Sequence, residues 1–227
     1  MLMNHPRFDA IVFDLGCVLV ELTGVPQMLA WIQAPMTTAE LWHHWLASPA
    51  VRLFETGQCT AEEFAEQVCH EFTLSVSPET FLQAFTYWPR QLFPGVHALL
   101  QALSPRFTLV SLSNTNALHW QRLQREMNFL HLFAINLPSH ETRLMKPDRE
   151  AFAHAVRTIG IQPELIVFVD DNQLNVDQAR AVGIEAHRTV GITEVKAKFI
   201  KLGLWQEEII YARPESDSKA VERAVSQ

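Results

Sequence analysis

The stretch Ala10 to Leu19, AIVFDLGCVL, decides the fold. Apolar residues run unbroken from Ala10 through Phe13 into Asp14, and a Gly-containing turn follows at once. Such a run suits a strand buried on both faces of a parallel sheet; its shortness and the following Gly favour strand over buried helix. In open α/β sheets ligands bind in the crevice beyond the carboxyl ends of the strands, so Asp14 is a candidate site residue. The alternative is that Asp14 only caps the turn through local hydrogen bonds.

Outward from this strand the pattern turns helical and stays so to about Phe93. PQMLAWIQA at 26 to 34 and AELWHHWLA at 39 to 47 carry apolar residues at helical spacing, with Thr37 or Thr38 as N-cap of the second. Thr60-Ala61-Glu62-Glu63 is a capping-box pattern, and Ser77-Pro78 sets an N-cap followed by Pro at the first helical position. These signals predict a four-helix insertion over residues 21 to 92. Its aromatics, Trp31, Trp42, Trp45, Phe64, Phe72, Phe81 and Phe85, are expected to form the insertion's own core rather than a ligand box.

Beyond Phe93 helices and strands alternate. Helices are expected at 95 to 103, 116 to 128, 148 to 159 and 174 to 182, the last stopped by Gly183. Between them lie the buried strand FTLVSLSN at 107 to 114, the apolar stretch HLFAINL, the strand LIVFVDDN at 165 to 172 and a short strand at 184 to 188. This alternation specifies an α/β fold, a doubly wound parallel sheet with the helical insertion as a second subdomain. The core is then 1 to 20 with 93 to 204, the insertion 21 to 92, and 205 to 227 a polar tail expected to be poorly ordered.

The 227 residues, 48% of them hydrophobic, suffice for one sizeable core plus such an insertion. A net charge of −7 offers no basic field for phosphodiester backbones, so nucleic acid is not an expected partner. Cys17, Cys59 and Cys69 form no CxxC pair and are odd in number, which suits a reducing compartment. No apolar run approaches membrane-spanning length and the N-terminus lacks a signal pattern; a cytoplasmic protein without membrane partners is expected, monomer or homodimer.

Three expected strands end in polar groups of complementary kind: Asp14, Ser113 with Asn114, and Asp170 with Asp171, while a loop adds Lys146. If the strands are parallel, all emerge at one edge. Carboxylates gathered there repel one another unless a hard divalent cation sits among them, and oxygen donors without His or thiolate point to Mg²⁺. Lys146 and Ser113 would then hold a phosphoryl group, and Asp14 would attack it to give an aspartyl-phosphate.

In this order the residues resemble the haloacid dehalogenase superfamily of aspartate-nucleophile phosphatases over roughly residues 9 to 190. FDLGCVL is similar to its first motif, LVSLSN to the second, Lys146-Pro147 to the third and FVDDNQLNV to the fourth. The resemblance implies a Mg²⁺-dependent phosphatase of small phosphorylated metabolites with a helical cap. It implies Asp14, Ser113 and Lys146 as catalytic residues; Leu15, Gly16, Ser113, Asn114 and Lys146 around the phosphate; and Asp14, the Gly16 carbonyl, Asp170 and Asp171 around the metal, with Asp171 the direct ligand. The Cys17 N–H and the Asn114-Thr115-Asn116 segment would help bind phosphate, though the latter equally suits a helix N-cap.

One departure stands out. Where family phosphatases carry an Asp as general acid, two residues after the nucleophile, this chain has Gly16. Acid assistance contributes about 10²–10⁴-fold, so Gly16 favours leaving groups that need less help, such as the anomeric oxygen of a sugar 1-phosphate. Bacterial glucose 1-phosphate phosphatases resemble this chain in the same Gly. His43, His44 or Glu55 of the insertion could also supply a proton, but a solvated or packed surface role is the expectation for each. Two further readings stand beside this one: a metal-independent 2-haloacid dehalogenase, which the Asp170-Asp171 pair argues against, and a catalytically weak binding or regulatory relative.

Overall fold

A computed structural model describes residues 7–206, so the residues from 207 onward, the bulk of the expected tail, lie outside the described residues. The chain enters as β1 (Ala10–Phe13), turns through Asp14 to Leu19, and continues as β2 (Val20–Leu22). The insertion follows as α1 (Gly24–Trp31), α2 (Thr38–Ala47), α3 (Pro49–Glu55), α4 (Ala61–Glu71) and α5 (Pro78–Thr86), and β3 (Pro89–Leu92) leads back. Then come α6 (Val96–Leu103), β4 (Thr108–Ser113), α7 (Ala117–Glu126), β5 (Ile135–Pro138) and the short α8 (Ser139–Thr142). The described residues close with α9 (Arg149–Ile159), β6 (Ile166–Asp170), α10 (Gln173–Ala181), β7 (Glu185–Arg188) and α11 (Gly191–Lys201).

β5, β4, β1, β6 and β7 form one parallel sheet in that order, so β1 lies between β4 and β6 where the winding direction reverses. β1 is apolar throughout because both its faces are covered. Ile11 and Phe13 pack with Leu99, Leu103 and Phe199 from α6 and α11. Ala10 and Val12 pack on the other face with Phe152, Val176 and Ala179 from α9 and α10. Period-two alternation assigns successive side chains to opposite cores, which is why the run has no polar member.

The insertion holds five helices, one more than its sequence pattern suggests. Ser48 caps α3, its Oγ accepting from Val51 N at 3.2 Å, with Pro49 at the first helical position. The insertion has a separate core in which Phe54 and Phe64 stack at 4.2 Å and Phe81 and Phe85 are buried. Each such ring contributes roughly 1.5–3 kcal/mol by burial. The expectation that its aromatics serve only that core needs correction: Trp42 is 39% exposed, and Trp42, Trp45 and Phe85 face the cavity described below. β2 and β3 pair antiparallel as the two strands by which the chain leaves and re-enters the core, a pair absent from the sequence reading.

Candidate active site

A cavity of about 570 Å³ lies between the insertion and the carboxyl edge of the sheet. Its floor is made by the residues that terminate β1, β4 and β6. Asp14 follows β1, its N–H bonded to Val169 O of the neighbouring strand at 2.9 Å. Lys146, in the loop between α8 and α9, is 2% exposed; its Nζ donates to Asp14 Oδ1 at 2.7 Å and to Asp170 Oδ2 at 2.6 Å. The sheet thus brings residues 132 positions apart in the chain into direct contact.

Further bonds fix this arrangement. Asn114 receives Lys146 N on its Oδ1 at 2.8 Å and donates Nδ2 to Lys146 O at 2.8 Å. That side chain, expected at the phosphate, is instead spent on holding the Lys146 backbone. Asp170 is fully buried and its oxygens are taken by Lys146, by Asn172 N at 2.8 Å and by Asn175 Nδ2 at 3.0 Å. Asp170 therefore steadies Lys146, whereas Asp171 faces the cavity. Ser113 Oγ approaches only Asn114 O, at 3.5 Å, and so keeps its donor for other partners.

The other sequence-derived positions sort by their bonds. The Leu15 carbonyl accepts from Leu19 N and Val20 N at 2.9 and 2.8 Å, closing the turn beside Gly16, which lines the cavity. The Cys17 N–H is not free for phosphate, since it donates to Val20 O at 2.8 Å. Burial and the nearby carboxylates of Asp171, Asp14 and Asp170 push the Cys17 thiol up to about 12, which leaves it a poor nucleophile. Asn116 caps α7 by accepting from His119 N at 3.1 Å, while Thr115, bonded through its backbone to Ser139 Oγ, lines the cavity. His43 and His44 are exposed and stand outside the cavity lining, but Glu55 is part of it.

Arg188, which the sequence reading passed over, also lines the cavity and donates Nε to Asp171 O at 2.8 Å. The rule that singled out Asp14 would have found it, because Arg188 ends β7.

The electrostatics are those of crowded acids. Burial, with Asp170 and Asp171 nearby, pushes Asp14 up to about 8 despite the Lys146 ammonium. Burial and Asp170 bring Asp171 up to about 6. Burial opposes the charge on Lys146, yet the two carboxylates outweigh it and hold its pKa above the ordinary lysine value. Oxygens of Asp14, Asp170 and Asp171 lie within 4.8 Å of one another. Three carboxylates against one ammonium leave an excess that a divalent cation would neutralise, and the all-oxygen donor set fits Mg²⁺. Asn175 Oδ1, buried and without a hydrogen-bond donor among the described residues, adds an unused acceptor on the same wall.

A family model described as haloacid dehalogenase-like hydrolase matches residues 8–183. A phosphoglycolate phosphatase of Haemophilus influenzae is 24% identical over 204 residues, covering 83% of this chain and 87% of that protein. A haloacid dehalogenase family enzyme of Bacteroides thetaiotaomicron, solved with magnesium and inorganic phosphate, superposes with a TM-score of 0.65 at 22% identity, over 80% of this chain and 93% of that one. An L-2-haloacid dehalogenase of Xanthobacter autotrophicus, solved with chloropropionic acid covalently bound, gives 0.59 at 19% identity, over 88% and 85%. Among the described residues no helix is long and apolar enough to cross a membrane.

Proposed function

The chain belongs to the haloacid dehalogenase-like hydrolases, and from that membership and the geometry of its site we propose that it is a Mg²⁺-dependent phosphatase of small phosphorylated metabolites. The observation that carries this reading is the Lys146 ammonium held between Asp14 and Asp170 at the sheet edge, with Asp171 beside it. The phosphate-bound Bacteroides enzyme and the Haemophilus phosphatase support it.

Asp14 attacks phosphorus to form an aspartyl-phosphate, which water then hydrolyses. Lys146 and the Ser113 hydroxyl hold phosphoryl oxygens as negative charge develops there. Asp170, itself bonded by Asn175, keeps Lys146 aimed. Mg²⁺, held by Asp14, Asp171 and the Gly16 carbonyl, would supply the charge that keeps Asp14 ionised and screens its approach to an anionic phosphate. The three free cysteines accord with a reducing, cytoplasmic setting. With Gly16 in place of an acid, and no other donor counted, a sugar 1-phosphate is the favoured ester, because its anomeric oxygen leaves with little protonation.

Turnover of nitrophenyl phosphate with Mg²⁺, with EDTA and in Asp14→Asn tests the reading. Activity lost in both of the latter is expected. Chloride release from 2-chloropropionate without metal, in place of phosphate release, would overturn it in favour of a dehalogenase.

A further inference from the structure

Among the described core residues that line the cavity, the two acids, Asp14 and Asp171, already serve as nucleophile and metal ligand in the phosphatase reading, and the rest of the lining comes largely from the insertion. Met28, Leu41, Trp42, Trp45 and Leu46 are typical of that wall. Among the described residues of the insertion that line the cavity, Glu55 is the one with an ionisable side chain. Its carboxyl group has no hydrogen bond or ion pair to another described residue, although every other acid around the cavity floor is engaged or crowded. We propose that Glu55 is the proton donor to the leaving oxygen, supplying from the insertion what Gly16 lacks; this assignment rests on the phosphatase reading.

Placement supports the role. Glu55 ends α3, and the residues flanking it are tied to the core segment that carries Lys146. Gly57, at φ +67°, packs so closely on the His140 carbonyl that a Cβ there would lie 2.4 Å from its oxygen. Arg52 pairs with Asp148, two residues beyond Lys146. Thr56 Oγ1 donates to Arg52 O at 2.6 Å and accepts from Gln58 Nε2 at 2.7 Å, which stiffens the turn. Short, local contacts thus fix the turn that carries Glu55 on the wall of the cavity that Asp14 also lines, as a proton donor requires.

The protonation state is suitable. Burial pushes Glu55 up to about 7, only partly opposed by Lys146, so the carboxyl retains a proton over much of the neutral range. Asp14, Cys17, Asp171, Lys146, Arg188 and His119 are the other titratable or charged groups around the cavity among the described residues. None of these is a free acid facing the apolar wall: His119 is bonded to Phe85 O through Nε2 at 2.7 Å, and Arg188 to Asp171 O.

The step balances. As an Asp14 oxygen bonds to phosphorus, the bond from phosphorus to the ester oxygen breaks, and that oxygen takes the Glu55 proton and leaves as the alcohol. Glu55, now a carboxylate, accepts a proton from the water that attacks the aspartyl-phosphate. Inorganic phosphate departs, and the Asp14 carboxylate and the Glu55 acid are both restored. Substrates are then not confined to esters with good leaving groups, and phosphates of primary alcohols come within reach.

Leaving-group dependence reads this directly. With Mg²⁺ present, Glu55→Gln should lose about 10²–10⁴-fold in kcat/KM, which reports only the steps through transfer to Asp14 and not the shared hydrolysis of the aspartyl-phosphate, on the phosphate of a primary alcohol such as glucose 6-phosphate. It should lose little on nitrophenyl phosphate, whose phenolate leaves unaided, and Glu55→Asp should recover part of the loss. Thermal unfolding of each variant alongside wild type shows that the fold is kept. Equal losses on both esters, or no loss on either, overturn the assignment of Glu55 while leaving the phosphatase reading intact. No hydrolysis of either ester by the wild-type chain overturns both.

Discussion

Gly16 is set apart from most glycines of this chain because nothing in its backbone demands glycine: it is absent from the residues with left-handed φ. A Cβ at Gly16 would meet only the flexible tip of Leu22, Cδ1 at 3.1 Å. An Asp is therefore admissible there with a small shift of Leu22. If Glu55 delivers the proton, Gly16→Asp should change wild-type turnover of a primary-alcohol phosphate little, but should restore a large part of it in Glu55→Gln. Steady-state kinetics of the double variant check this; a double variant no better than Glu55→Gln would mean that a carboxyl at 16 cannot reach the ester oxygen. The identity of these residues was plain in the sequence. Their division of labour was not, because it depends on which carboxylate oxygens are already bonded: Asp170 turned out to be a buried anchor, Asp171 the acid at the surface of the cavity.

At the scale of elements, the helix starts of α2, α4 and α5 were readable because a side chain closes each cap. Thr37 and Thr60 both make full capping boxes, and Ser77 accepts from Thr80 N at 3.3 Å. The Thr60 hydroxyl receives Glu63 N at 3.2 Å while Glu63 returns a bond to Thr60 N at 2.8 Å. Thr60→Ala should cost about 1 kcal/mol of stability in denaturant unfolding, with the slope against denaturant unchanged. The α3 helix carries the same Ser-Pro start as α5, yet it is masked because Ser48 also ends α2 and leaves no linker. The strands β2 and β3 are too short, at three and four residues, for alternation to register. The α11 helix, with Ile192, Val195 and Phe199 buried on one face, has helical spacing in its sequence as well.

Across the whole molecule, the insertion is joined to the core by polar contacts from α7. Arg122 donates to Pro89 O at 2.6 Å, and its guanidinium lies 4.5 Å from the Tyr87 ring centre. His119 stacks on Phe85 at 4.3 Å and bonds to Phe85 O. Burial, with Arg122 adding to it against the bond to Phe85 O, lowers His119 to about 4, so the ring is neutral at pH 7. The unfolded chain binds this proton near pH 6.5 and the folded chain only near 4, so stability present above the unfolded pKa is lost as pH falls through that window. The loss approaches about 3 kcal/mol only below the folded pKa, where both states carry the proton. Thermal unfolding from pH 7 to 4 should show this decline, and it should flatten in His119→Gln, whose amide can still donate to Phe85 O without titrating; an unchanged slope in the variant would assign the acid sensitivity elsewhere.

By itself the sequence determined the α/β sheet, through apolar runs such as Ala10 to Phe13 that only two covered faces can explain, and the membership of Asp14, Ser113, Lys146 and the acidic pair in one edge. Local chemistry sufficed there, since strand ends and caps are set by neighbouring residues. Only the tertiary structure decided which acids stay available. Asn114 and Asp170 are consumed by Lys146, the Cys17 N–H by Val20, and Glu55 of the insertion lines the same cavity as Asp14. Those outcomes depend on hydrogen-bond partners and burial supplied by residues distant in the chain, which no local pattern encodes.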